Sequence, residues 1–139
     1  MKVVTDRPPN YDLIIRRFPA VRQMTGVLYT YGDEIYNPDG VAISASLQAH
    51  EEIHSQRQLE QGVNVWWGEY LTDTKFRLEE ELVAHQKEFE VVCAIGGDRR
   101  RRQFALKYMA RRLSSPMYGH MVSFKKAKKL IKQPTHSLS

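Results

Sequence analysis

The chain contains a single cysteine, Cys93, among 139 residues. A lone thiol excludes an intramolecular disulfide and a cysteine-rich zinc site, and it fits a reducing compartment. No apolar run approaches the roughly 20 residues a membrane helix needs. The opening MKVVTDRPPN lacks the apolar core of a secretory signal. No segment repeats, and no low-complexity block is longer than the C-terminal tail. The expectation is therefore a cytoplasmic chain with no membrane partner.

What is present suits one folded unit. Hydrophobic residues make up 42% of the chain, enough to bury a core and too many for a disordered segment. A chain of this length is expected to form one domain, spanning residues 1–133, with residues 134–139 as a flexible tail. The formal net charge is +5, concentrated in Arg99–Arg102 and in Lys125, Lys126, Lys128, Lys129 and Lys132. Basic runs can bind phosphates, but they are more often solvated helix faces, and that is the reading adopted.

The expected elements follow from caps and periodicity. Arg7–Asn10 reads as an extended lead-in, and Asn10 as the cap of a short helix stopped by Pro19. Residues 27–31 and 34–36, rich in β-branched and aromatic side chains around Gly32-Asp33, read as a β-hairpin. Ser44 and Gly62 are suited to start and stop a helix. Residues 63–71 continue in helix. Asp73 can cap a long helix to about Val92, Asp98 another to Ser114, and Ser123 a short last one. The sum is an α+β chain dominated by helix, with a small N-terminal β-hairpin.

His50-Glu51-Glu52-Ile53-His54 matches H-E-x-x-H. Residues four apart on a helix share a face, one turn apart. Two imidazoles so placed can converge on one tetrahedral Zn2+. Glu51, beside that face, can act as general base toward a water that zinc acidifies to a pKa of about 7. A catalytic zinc keeps three protein ligands and an open position. Arg57 and Glu60 stand where metzincin-type motifs carry glycine and histidine, and Cys93 lies behind the motif, so those ligand sets are excluded.

The third ligand is then expected from a second helix, within residues 76–85. Helical phase makes Leu78, Leu82, His85, Phe89 and Val92 one buried stripe. Glu80 falls opposite it, toward solvent, and Glu79 and Glu81 flank it. Glu81 is preferred, because Ala84 one turn on allows close helix approach. Glu79, Glu80 and His85 remain alternatives, and His85 could instead support Glu81 by a hydrogen bond.

Other assignments carry less. A transition-state donor could come from Tyr118 or its neighbour His120. Arg57 borders the motif face and suits a salt bridge to a glutamate. Of the adjacent Trp66 and Trp67, one is expected in the core and one at the rim. Phe104, Leu106, Tyr108, Met109 and Leu113 have core-like spacing, which makes nucleic acid the least expected partner.

The chain resembles small H-E-x-x-H proteins of tailed bacteriophages, described as metallopeptidases with no agreed substrate. The likeness runs through residues 30–38, 50–58, 80–85 and 113–119, segments spread over most of the chain's length. The resemblance implies a minimal gluzincin-like zincin fold, its hairpin an edge sheet beside the active-site helix. It implies His50, His54 and Glu81 as zinc ligands and Glu51 as base. It also implies a host-cytoplasmic or virion-associated protein with a protein or peptide substrate and a phage or host protein partner. The competing expectation is a metal-binding structural or accessory virion component with little or no hydrolysis.

Overall fold

The computed structural model describes residues 1–134. The expected tail therefore lies, apart from Pro134, outside the described residues. The elements are β1 (Lys2–Val4), α1 (Tyr11–Arg17), a 3-10 turn (Pro19–Gln23), β2 (Tyr29–Tyr31), β3 (Glu34–Tyr36), α2 (Ala45–Gln61), α3 (Val63–Thr72), α4 (Thr74–Ile95), α5 (Arg99–Leu113), a second 3-10 turn (Pro116–Tyr118) and α6 (Phe124–Ile131). This is a predominantly helical α+β fold with a small sheet.

Four helices start as local chemistry dictates. The side chains of Ser44, Asp73, Asp98 and Ser123 each accept a backbone N–H of the first turn. Asn10 holds the cap position of α1 but makes no capping bond, and its buried amide atoms have no partner. Antiparallel β2 and β3 meet at Gly32, whose φ of 65° is the positive angle a tight hairpin turn requires. A strand not expected from the sequence, β1, pairs parallel with β3 and makes a three-stranded sheet of order β1-β3-β2.

Helix α4 organises the rest, packing against α2, α3, α5 and α6. Four of the five residues of its expected stripe, Leu78, Leu82, Phe89 and Val92, join a core with Leu106, Met109, Leu113 and Ile131 of α5 and α6. The fifth, His85, is instead buried against His50 and Glu88. The opposite face is buried as well, against α2 and α3. Glu80 is therefore only 2% exposed, contrary to the expectation that it points to solvent. It accepts two bonds from Arg57 (2.6 and 2.7 Å) and one from Trp66 Nε1 (2.7 Å). Trp66 and Trp67 are both buried, so neither is a rim residue. They join Tyr70, Leu71, Tyr29, Ile14 and Val21 in a second core.

Candidate metal centre

Helix α2 is unusual in what it buries. Its buried residues are His50, Glu51, His54, Ser55 and Gln58, with no large apolar side chain among them. Buried polar groups are costly unless paired, so the partners reveal the purpose. Gln58 donates to Thr30 O (2.8 Å) and accepts from Gly32 N (2.7 Å), fastening α2 to the hairpin. Thr30 Oγ1 donates to Glu51 Oε1 at 3.1 Å. That bond fixes Glu51 and leaves Oε2, 3.7 Å from His50 Nε2, facing the histidines.

Glu81 of α4 comes to the same point. Its Oε1 lies 3.1 Å from His50 Nε2 and 2.7 Å from His54 Nε2. Tyr70 of α3 donates to Oε2 at 3.1 Å. Glu79 is exposed, and Glu80 is engaged by Arg57 and Trp66. Of the three glutamates, only Glu81 meets both histidines. All four side chains of the cluster, His50, Glu51, His54 and Glu81, are buried.

A residue outside the sequence reading, Glu88, completes the arrangement. Its Oε1 lies 2.8 Å from His50 Nδ1 and 3.1 Å from His85 Nδ1. A carboxylate can only accept, so both Nδ1 atoms carry hydrogen. His50 Nε2 is then the lone-pair nitrogen of the neutral ring, and it faces Glu81 Oε1, another acceptor. Such convergence requires a cation, whether proton or metal. His85 thus turns to Glu88 rather than to Glu81, and its buried Nε2 has no partner. The signal for Glu88 was available in the i, i+3 spacing from His85, but only the packing of α2 on α4 brings it to His50.

Electrostatics give the same picture. Burial alone would disfavour charge on His50, but its bonds to Glu81 and Glu88 outweigh that and hold its pKa well above the ordinary value. Burial would raise Glu81, yet the His54 charge and the bonds from both histidines hold it well below the carboxylate range. Glu88 is likewise lowered against its burial, to about 2, by His50 and His85. Glu51 moves the other way, pushed up by burial. The site therefore contains strong anionic and imidazole donors, together with one carboxyl group that takes up a proton readily.

The residues fit a metal ion. Ligand atoms of His50, Glu51 and His54 lie within 4.8 Å of one another, and Glu81 bridges the two imidazoles. His54 Nδ1 is buried without a partner, so Nε2 is the nitrogen that the fold directs into the cluster. A second group, His50, His85 and Glu88, meets the same distance limit and shares His50. Carboxylate and imidazole oxygen and nitrogen donors suit a borderline divalent cation.

Tyr118 is buried at 2% exposure, in the second 3-10 turn. It lies beside Tyr70, and burial followed by the Glu81 charge raises its pKa. It is thus close enough to Glu81 to feel its charge, with Tyr70 as its hydrogen-bond neighbour. His120 is exposed and bonds to Ser114 O, away from the cluster. Compared with known proteins, the chain matches no family model, no curated protein and no solved structure. Among the described residues, no helix is long and apolar enough to cross a membrane.

Proposed function

We propose that this chain is a zinc-dependent hydrolase of peptide or amide bonds, with His50, His54 and Glu81 as metal ligands and Glu51 as general base. The observation that carries the reading is the meeting of both H-E-x-x-H imidazoles on one Glu81 oxygen, at 3.1 and 2.7 Å. Bound zinc would supply a water acidified toward neutrality and a Lewis acid for the scissile carbonyl. The protein supplies the rest. Glu88 keeps His50 in the tautomer whose Nε2 is free to ligate. Tyr70 holds Glu81 by its outer oxygen. Thr30 pins Glu51 by Oε1, so Oε2 takes the proton from the attacking water and passes it to the leaving amine. The raised pKa of Glu51, caused by burial, suits a group that must both accept and release a proton. The predominantly helical fold with a small sheet beside α2 is compatible with a minimal zincin-like arrangement, and a host-cytoplasmic or virion-associated role with a protein or peptide substrate is part of the same proposal.

One observation favours a second reading. The four residues are only 5–7% exposed, so the cluster sits inside the protein rather than at the bottom of an open cleft. A metal there would serve as a cross-link between α2 and α4 in a structural or accessory virion component. The two readings separate at Glu51. In the hydrolase, Glu51→Gln keeps its metal and loses cleavage of a fluorogenic peptide library by at least ~100-fold. In the structural protein, wild type and Glu51→Gln both bind metal and neither cleaves.

A further inference from the structure

We infer that the outward face of α5 binds single-stranded nucleic acid. This goes beyond the hydrolase reading and does not depend on it. From Arg99 to the last described residue there are twelve lysines and arginines and no aspartate or glutamate. Residues 1–98 hold nine cations against sixteen acids. The chain is thus divided by charge, and the basic part is α5, α6 and their connection.

Helix α5 turns Leu106, Met109, Ala110 and Leu113 into the core. At 3.6 residues per turn, Arg100, Phe104, Lys107, Tyr108 and Arg111 fall within an arc of about 100° on the opposite side. All five are exposed. Phe104 is 70% exposed and Tyr108 is 53% exposed, so neither has the core position their spacing suggested. Among the described residues, none of the three cations in this arc pairs with a carboxylate. The two rings sit one turn apart, about 6 Å along the axis, between Arg100 at one end and Arg111 at the other.

This is the chemistry of a single-strand platform, in which cations track phosphates and aromatic rings stack on unpaired bases. A membrane surface fits less well. An interfacial helix buries a broad apolar face in the lipid, whereas the apolar stripes of α5 and α6 are spent on each other and on α4. Two large rings flanked by cations are too narrow for that purpose. The α6 lysines extend the positive field, and the acidic remainder of the chain turns this face toward a polyanion.

The test is fluorescence anisotropy with a labelled oligothymidylate of about 16 nucleotides, a matched duplex, and vesicles of phosphatidylserine and phosphatidylcholine. The single strand should bind best, with a log–log salt slope of about −2 for three neutralised phosphates. Phe104→Leu with Tyr108→Leu, which keeps every charge, should weaken binding at least about tenfold. Arg100→Glu with Arg111→Glu should abolish it. Both pairs are on the surface, and their thermal melts should match the parent. The inference is overturned by failure to bind the oligonucleotide, by full affinity in the leucine pair, or by tighter binding to vesicles or duplex.

Discussion

Glu88 shows how much of a candidate metal centre lies outside its candidate ligands. One carboxylate oxygen fixes the Nδ1–H of His50 and is shared with His85. Removing it leaves His50 free to rotate or change tautomer. Glu88→Ala should lower zinc affinity by about 10- to 100-fold while the fold persists, measured by competition with a chromophoric chelator. Glu81→Ala should lose more zinc than Glu79→Ala, since only Glu81 reaches both imidazoles. The reverse order would remove Glu81 as a ligand. The H-E-x-x-H pair was legible from spacing, because it depends on one helix alone. Helical phase, with a small residue one turn on, favoured Glu81, although its meeting with both imidazoles needs α2 packed on α4. Glu88 and Thr30 were not legible, because their roles arise only where separate elements meet.

At the scale of elements, the caps were the most legible feature. Ser44, Asp73, Asp98 and Ser123 act within one turn of themselves, so no tertiary knowledge was needed. Strand β1 was illegible for the opposite reason: its three residues gain their order from β3, some thirty residues away. Helical phase misjudged Glu80 because it assumed one buried face, whereas α4 is packed on two sides. Phe104 and Tyr108 were misjudged by the same weakness, since core-like spacing does not say which residues of a helix face outward. The Glu80 knot joins α2, α3 and α4 through Arg57 and Trp66. Arg57→Ala strands a buried carboxylate and should cost ~3–5 kcal/mol in urea unfolding. Replacing Arg57 and Glu80 together with leucine should recover most of that loss. It would still leave the Trp66 N–H unpaired, at ~1–3 kcal/mol. No recovery would mean that the pair acts through geometry rather than charge.

In the whole molecule, the histidine–glutamate cluster and the two cores are parts of one arrangement. Helix α4 gives one face to α5 and α6 and the other to α2 and α3, and the cluster occupies the second face in place of apolar packing. A bound ion would therefore stabilise the fold as well as the site. At free zinc about 100 times the dissociation constant, the gain is about 2.7 kcal/mol. That corresponds to a melting temperature roughly 10 °C above that of chelator-treated protein. Equal melting with and without zinc would deny any such coupling. The most direct test of the account is elemental analysis of the parent, Glu51→Gln and His54→Ala proteins after zinc-replete expression and gel filtration. The account predicts about one zinc per chain in the first two and almost none in the third. Equal zinc in all three, or none in the parent, would contradict it.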